Sequence, residues 1–359
     1  MKVLMKGNEA VAEAAVRAGC RFFAGYPITP QTEIPEYLSS RLPEVGGVFI
    51  QGESEVASVN MVYGAASMGV RAMTSSSGPG VSLKAEGISY LSGAKLPALI
   101  VYVTRGGPGL GSIQPAQSDY LHATKALGHG GFRTLVFAPA TVQEAADLTY
   151  AAYDYAERDR NPVVLLMDGC LGLLLEQVEL PPMRELSDDA TKKWSLARRE
   201  GEKRPHRVIT PIYPELILEN ENKQRGKLVK SWEENDAQAE EFLLDDAEYV
   251  AVAYGIAARL AKEAIVRLRG EGHKVGLIRP VTLFPFPKQS FKCLDYTRIR
   301  GIIDIEMTIP AQMRDDIELA TRSQIPVFEY GRSGGVLLDD EGVYNAMAGF
   351  IREIGGGQS

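Results

Sequence analysis

Short β-rich runs alternate with helical patterns through the first half of this 359-residue chain, and this alternation constrains the fold more than any other feature. Strands separated by helices pair in parallel and are covered on both faces, so the pattern predicts an α/β domain built on a parallel sheet. The clearest helical patterns are Glu55–Met68 and Thr141–Ala156. The predicted strands are Arg21–Ala24, Gly47–Gln51, Ala72–Ser75, Leu99–Thr104, Leu135–Ala138 and Val163–Met167.

The segments that follow these strands are rich in Gly, Pro, Ser and charged residues. In parallel sheets, ligands bind at the carboxyl ends of the strands, so we expect the functional site at this edge. The segments are Gly25–Pro30, Gly52–Glu55, Ser75–Gly80, Arg105–Gly111, Pro139–Thr141 and Asp168-Gly169.

The segment Gly25-Tyr26-Pro27-Ile28-Thr29-Pro30 holds two prolines that restrict its backbone. Pro30 suits the first position of a helix, which would place Thr29 just before a helix N-terminus, where free N–H groups favour an anion. A structural role for Thr29 as the N-cap residue fits the spacing as well. Taken alone, the segment leaves both interpretations open.

The periodic pattern stops near Pro181-Pro182, and we predict three regions: a parallel-sheet domain (1–182), a charged arm (183–246) and a smaller α/β domain (247–359). The arm contains one predicted helix, from Pro214 to about Phe242. It would lie across a partner or the other domain, with a solvated linker as the alternative. The elements expected after it are Tyr249–Tyr254, Gly255–Leu268, Val275–Arg279, a turn at Thr282–Pro287, Gly301–Ile305, Pro326–Tyr330 and Val343–Ile354.

Composition excludes several classes of function. A charged fraction of 24% and a net charge of −7 do not suit a nucleic-acid-binding protein. Cys20, Cys170 and Cys293 lie far apart and the four histidines are not spaced as ligands, so we expect no metal site or iron–sulfur cluster in this chain. The N-terminus lacks a signal-peptide pattern and no apolar run could span a bilayer, so we expect a cytoplasmic protein without a membrane partner.

Two Gly-rich stretches, Ser77–Gly80 and Gly106–Gly111, raise the alternative of a nicotinamide-dependent enzyme. The dinucleotide fingerprint needs Gly-x-Gly-x-x-Gly directly after the first strand, and neither stretch meets this requirement. A non-catalytic scaffold is a second alternative. The chain has neither a Gly-x-Ser-x-Gly elbow nor a phosphate-binding P-loop.

A series of motifs resembles the α subunits of 2-oxoacid:ferredoxin oxidoreductases, above all the 3-methyl-2-oxobutanoate branch. In the first domain these are Lys6–Ala10, Gly25–Pro30, Glu53–Ala57, Thr74–Gly80 and Thr104–Gly109. In the last region, three motifs resemble a transketolase C-terminal-like domain: Thr282–Pro287, Asp304–Met307 and Gly331–Gly335.

The resemblance implies a thiamine diphosphate enzyme that oxidatively decarboxylates a 2-oxo acid to an acyl-CoA and CO₂. It implies that residues 1–182 form the pyrimidine-binding domain, while a β subunit binds the diphosphate through Mg²⁺ and carries a 4Fe–4S cluster. Gamma and ferredoxin-like subunits and ferredoxin itself would be further partners, and coenzyme A would accept the acyl group.

The resemblance also implies roles for individual residues. Glu55 would be the carboxylate that activates the cofactor, Thr29 would face the reacting carbon, and Arg105 would bind the substrate carboxylate. Structural alternatives are a helix start capped by Ser54 for Glu55, and an ion pair that holds a Gly-rich loop for Arg105. Cofactor contacts are expected from Tyr26, Pro27, Ile28, Glu55, Ser77 and Gly78, and weaker substrate or partner contacts from Gln114, Gln117 and Asp119.

The substrate side chain is the least determined feature. A 2-oxoglutarate side chain would need a second cation, and none occurs between Arg105 and Lys125. Together with the resemblance to the 3-methyl-2-oxobutanoate branch, this absence predicts a branched-chain 2-oxo acid, with 2-oxoglutarate, pyruvate and an aryl 2-oxo acid as the alternatives.

Overall fold

The computed structural model describes residues 2–185, 192, 194–197 and 213–356. Its strands are β1 (Lys2–Lys6), β2 (Phe22–Gly25), β3 (Val48–Gln51), β4 (Ala72–Ser76), β5 (Leu99–Gly106), β6 (Ser112–Pro115), β7 (Leu135–Phe137), β8 (Val163–Asp168), β9 (Leu175–Glu179), β10 (Ala239–Phe242), β11 (Tyr249–Val252), β12 (Val275–Pro280), β13 (Thr282–Phe284), β14 (Gly301–Glu306) and β15 (Val327–Gly331). Its helices are α1 (Gly7–Arg17), α2 (Glu33–Glu44), α3 (Glu55–Ser67), α4 (Pro79–Gly93), α5 (Tyr120–Lys125), α6 (Val142–Asp159), α7 (Gly169–Leu173), α8 (Glu215–Asn235), α9 (Gly255–Gly270), α10 (Lys288–Lys292), α11 (Arg314–Thr321) and α12 (Asp340–Gly356).

The first sheet has the strand order β13-β7-β8-β5-β4-β2-β3, and β6 pairs with β5 beside this path. Its central pairs, from β3 to β7, are all parallel. Side chains of α1, α2 and α6 pack on one face, and those of α3 and α4 pack on the other. The predicted parallel sheet covered on both faces is therefore confirmed, and each of the six predicted strands is present.

The second sheet has the order β10-β12-β11-β14-β15 and is parallel except for the edge strand β10. Helices α9 and α12 cover one face with a core of their own. On the other face, the core is continuous with that of the first domain, where the Tyr120 and Tyr254 rings lie 6.0 Å apart. The two units thus form one packed body.

The helix predicted from Pro30 begins later, at Glu33, with Thr32 as its N-cap. The reason is a second proline, Pro35, which lacks an N–H group. In a helix starting at Pro30, Pro35 would fall in the second turn and remove a hydrogen bond, whereas a start at Glu33 keeps it within the first turn. The prediction that Thr29 precedes a helix N-terminus was therefore wrong.

The helix predicted from Pro214 to Phe242 ends at Asn235, and Ala239–Phe242 form the edge strand β10. Pairing of this segment with β12 overrides its local helical pattern. Helix α8 packs along the first domain: Trp232 is buried and donates to Asp159 over 2.8 Å. Much of the predicted arm, residues 186–191, 193 and 198–212, lies outside the described residues.

The turn expected at Thr282–Pro287 begins with a strand, because β13 pairs antiparallel with β7 of the first sheet. A segment of the second region thus extends the first sheet, so the sheets do not divide at a single point in the chain. Among the helices that the structure describes, none combines the length and hydrophobicity needed to cross a bilayer.

Candidate active site

Four neighbouring strands bring the predicted site residues to one edge of the first sheet. The order β3-β2-β4-β5 places four segments side by side: the one that starts α3, the loop with Thr29, the turn with Ser77 and the end of β5 with Arg105. This is the carboxyl edge, where parallel sheets bind ligands.

Glu55 is the first residue of α3 and is buried, with 7% of its surface exposed. Ser54 caps the helix by accepting a 3.1 Å hydrogen bond from the Ala57 N–H. The cap fixes where the helix begins and so turns the carboxylate of Glu55, rather than that of the exposed Glu53, into the protein.

The Glu55 carboxylate lies against the start of α4. A Cβ atom at Gly80 would come within 2.7 Å of Glu55 Oε1 and would also collide with Ser76 Oγ. The hydroxyls of Ser76 and Ser77 are buried and have no hydrogen-bond partner among the described residues. Unpaired buried hydroxyls are costly, and here they lie beside a carboxylate in a ligand-binding position.

Arg105 is 5% exposed and spans the gap between two loops. Its Nη1 donates to the Thr29 carbonyl over 3.0 Å, and its Nη2 donates to the Leu110 carbonyl over 3.2 Å. Its Nε is buried without a partner in the part of the chain that the structure describes. A guanidinium has five N–H donors, so several remain for an anion.

A cavity of about 350 Å³ opens in front of Arg105. Its wall combines one arginine with small residues, an acid and an imidazole. The lining residues are Gly78, Pro79, Ser82, Arg105, Gly106, Gly107, Pro108, Gly109, Asp119 and His122.

Three polar side chains, those of Tyr102, Asp119 and His122, form a group beside this cavity. Tyr102 OH and His122 Nδ1 are 3.1 Å apart and hydrogen-bonded. Burial raises the pKa of Asp119 to about 6, while the Tyr102 hydroxyl and the Arg105 charge oppose that rise. Burial lowers the pKa of His122, so the imidazole is neutral at pH 7.

The sequence interpretation considered the histidines as metal ligands and so missed His122. A signal was present: His122 lies three residues after Asp119, which is the spacing of neighbours on one helix face. Tyr102 could not have been found this way, because it is an internal residue of β5 whose ring reaches the site only through the fold.

Five other predicted residues lie in the loop after β2 and on β6. Tyr26 and Thr29 are exposed in the loop after β2, Pro27 is exposed beside them, and Ile28 is half-buried. Gln114 is exposed on β6, beyond the residues that line the cavity.

Gln117 has a different position from the one expected. It is fully buried, its Nε2 donates to the Tyr254 carbonyl over 2.9 Å, and its Oε1 accepts from the Met307 N–H over 3.0 Å. Both ends of the amide therefore join the two domains, so the prediction that Gln117 faces a substrate or partner was wrong.

Within the described residues, no cluster of three or more His, Cys, Asp or Glu side chains is arranged to hold a metal ion. Of the cysteines, Cys20 is buried, Cys170 is half-buried and Cys293 is exposed.

Residues 13–239 match the family described as pyruvate flavodoxin/ferredoxin oxidoreductase, thiamine diphosphate-binding, and residues 247–343 match pyruvate:ferredoxin oxidoreductase core domain II. A sheet edge with a buried carboxylate and a cavity lined by an arginine fits this class of thiamine-diphosphate-binding oxidoreductase. The chain belongs to the 2-oxoacid:ferredoxin oxidoreductase family, as its motifs indicated. The nicotinamide and scaffold alternatives do not agree with this membership.

Among its relatives, the ketoisovalerate oxidoreductase subunit VorB of Methanothermobacter thermautotrophicus is 45% identical over 99% of both chains. The 2-oxoglutarate synthase subunit KorA of Methanocaldococcus jannaschii is 33% identical over 97% of this chain and 100% of its own length.

Among solved structures, the chain is similar to 2-oxoglutarate:ferredoxin oxidoreductase from Magnetococcus marinus, with a TM-score of 0.85 and 26% identity. The match covers 98% of this chain but spans only 65% of that longer one. A split-gene transketolase, 16% identical with a TM-score of 0.58, shares the fold.

Proposed function

We propose that this chain binds the pyrimidine of thiamine diphosphate and, with partner subunits, oxidatively decarboxylates a branched-chain 2-oxo acid. One observation carries the proposal. Glu55 is buried beside two unpaired serine hydroxyls, at the same sheet edge as an arginine whose Nε is also unpaired. These are complementary groups for a heterocyclic cofactor and an anionic substrate.

The residues present fit the pyrimidine end of the cofactor. Glu55 offers an acidic group to a ring nitrogen, and the hydroxyls of Ser76 and Ser77 offer further hydrogen bonds. Thiamine diphosphate, when bound, supplies a carbanion at its thiazolium carbon that attacks a 2-oxo group. The role of Glu55 is to hold a proton at the pyrimidine nitrogen, which favours the imino form of the ring as the internal base.

Arg105 is the proposed partner of the substrate carboxylate. A planar guanidinium binds a carboxylate through two parallel hydrogen bonds, and its contacts to the Thr29 and Leu110 carbonyls fix its plane. The same contact holds the loop that presents Thr29, whose hydroxyl we assign to the reacting centre. Tyr26, Pro27, Ile28 and Gly78 would complete the contacts to the cofactor and substrate.

The lining of the cavity supports a substrate with one negative charge. Arg105 is its one cationic side chain among the described residues, because burial keeps the His122 imidazole neutral at pH 7. Asp119 would repel a second carboxylate. The greater identity to the ketoisovalerate subunit than to the 2-oxoglutarate subunit agrees with this assignment.

The subunit names of the relatives support partner chains. We assign the diphosphate site, Mg²⁺ and a 4Fe–4S cluster to a β subunit, and electron transfer to gamma and ferredoxin-like subunits and then ferredoxin. Coenzyme A is the proposed acyl acceptor, which agrees with the coenzyme A and succinyl-CoA named in the Magnetococcus marinus structure.

The experiment compares Glu55→Gln with Glu53→Gln in the assembled complex. We expect Glu55→Gln to slow hydrogen–deuterium exchange at the thiazolium carbon at least 100-fold, the lower range for loss of an acid–base group, and Glu53→Gln to leave it unchanged. Wild-type exchange in Glu55→Gln would refute the role of Glu55. A higher kcat/KM for 2-oxoglutarate than for 3-methyl-2-oxobutanoate would refute only the substrate assignment.

A further inference from the structure

Lys84 is a fully buried lysine beneath the proposed site. Its ammonium donates to the Thr74 hydroxyl and, over 3.3 Å, to the Ser75 carbonyl. Both acceptors are neutral, and no ion pair within 4.0 Å involves Lys84 in the described ranges of the chain. A buried cation without a paired anion is expensive, and such violations of the usual rules concentrate at functional sites.

Lys84 lies on the face of α4 that packs against α3 and the Glu55 carboxylate. Gly80, Lys84 and Gly87 lie at positions i, i+4 and i+7 of α4, which share one helix face. A Cβ atom at Gly80 would touch the Glu55 carboxylate, and one at Gly87 would collide with Val59 of α3. The two glycines bring the helices close together, with Lys84 between their contact points.

We propose that Lys84 is a positioning residue: its positive charge stabilises the ionised Glu55 carboxylate and thereby affects the pH dependence of cofactor activation. The inference rests on the proposed function of Glu55. Lys84 itself contacts neither cofactor nor substrate.

The surrounding charges agree with this pairing. Burial lowers the pKa of Lys84 to about 7, and the Glu55 carboxylate opposes that shift. Strands β2 and β4, which lie beneath the ammonium, carry no titratable side chain. The other titratable side chains on the elements around Lys84 are Tyr63 on α3, Glu86 and Tyr90 on α4, and Tyr102 and Arg105 on β5.

Glu86 and Tyr90 hydrogen-bond each other at the surface, and Arg105 and Tyr102 bond to the loops and His122 of the cavity. Glu55 is therefore the anion placed to respond to Lys84. Below pH 7 Lys84 is cationic and favours the Glu55 carboxylate, and above pH 7 this support is lost.

The first test is Lys84→Met, which keeps the length of the side chain and removes its charge. In the assembled complex, the near-ultraviolet circular dichroism of bound thiamine diphosphate and the kcat should be followed against pH. We expect the acidic limb of both pH profiles to move upward by about half a pH unit or more, because the variant lacks the positive charge that favours the ionised carboxylate. Lys95→Met, at the half-buried Lys95 that pairs with Glu221 beyond the end of α4, is the matched control and should leave the acidic limbs of both pH profiles unchanged.

The second test leaves Lys84 in place and therefore does not depend on whether the fold tolerates a substitution at this position. With ¹³C-labelled lysine, NMR titration of the complex should show the Lys84 pKa falling in Glu55→Gln, because the anion that raises it has been removed. An unchanged Lys84 titration in Glu55→Gln, or an unmoved acidic limb in Lys84→Met, overturns this inference. If Glu55→Gln still slows exchange at the thiazolium carbon, the proposed function stands without it.

Discussion

Arg105 donates a hydrogen bond from Nη1 to the carbonyl oxygen of Thr29 over 3.0 Å, joining the end of β5 to the loop after β2. Strand β4 lies between these two strands, so the side chain crosses above the turn that contains Gly78. A Cβ atom at Gly78 would lie 3.4 Å from Arg105 Nε, and the φ of Gly78 is +43°. The positive φ favours glycine here, while a Cβ atom would make only an ordinary van der Waals contact with the Arg105 side chain.

Replacement of Arg105 by Lys should weaken substrate binding. Lysine keeps the charge but loses the planar fork and the second contact that fixes its orientation. Hydrogen bonds to charged groups contribute about 1.5–3 kcal/mol, so we expect KM for the 2-oxo acid to rise about 10- to 100-fold. Steady-state kinetics measure this, and Arg300→Lys, at an exposed ion pair with Glu248, is the control. An unchanged KM would contradict the assignment of Arg105.

Gly80→Ala should disturb Glu55, because the added Cβ would meet the Glu55 carboxylate and Ser76. We expect the variant to lose about 1–3 kcal/mol of stability and to bind thiamine diphosphate more weakly. Gly93→Ala is the control at the end of the same helix, where a Cβ meets nothing within 4 Å. At position 93 the higher helix propensity of alanine should raise the free energy of unfolding by up to about 1 kcal/mol. Thermal unfolding and cofactor titration measure both effects, and equal behaviour of the two variants would contradict the prediction.

Gln117→Ala should loosen the contact between the domains. The substitution leaves the buried Met307 N–H without a partner, which costs about 1–3 kcal/mol, and removes one of the two donors to the Tyr254 carbonyl, which keeps the Ala258 N–H. A lower unfolding temperature and faster amide exchange around β14 should follow. The control is Gln114→Ala, three residues earlier on an exposed strand. If both variants unfold at the same temperature, the side chain of Gln117 does not hold the domains together.

Asp119→Asn should change stability in a pH-dependent way. Burial raises the pKa of Asp119 from the ordinary 3.8 to about 6, so the folded chain binds more protons than the unfolded chain between these values. The contribution of Asp119 to stability therefore falls as pH rises through that window. We expect the free energy of unfolding of Asp119→Asn to exceed that of the wild type at pH 7 by on the order of 2 kcal/mol. This difference should vanish near pH 4. Unfolding at the two pH values measures it, and a pH-independent difference would contradict the raised pKa.

The sequence predicted the strands of the first sheet well because buried parallel strands are short apolar runs bounded by Gly, Pro and Ser. It was weaker where tertiary contacts compete with local pattern. Ala239–Phe242 continue a helical pattern, yet they pair with β12, and Thr282–Phe284 resemble a turn, yet they extend the first sheet. Local periodicity carries no information on such pairings between distant segments.

The sequence by itself determined which loops meet at the functional edge, because alternating strands and helices place every carboxyl end on the same side of the sheet. It also placed Glu55 at a capped helix start. Only the tertiary structure decided which neighbouring polar residues belong to the site. Gln117 and Asp119 lie two residues apart, yet one joins the domains and the other lines the cavity. Lys84 shows the same limit: it lies on the face of α4 that meets Glu55 because Gly80 and Gly87 let α4 approach α3, and this packing exists only in the folded chain.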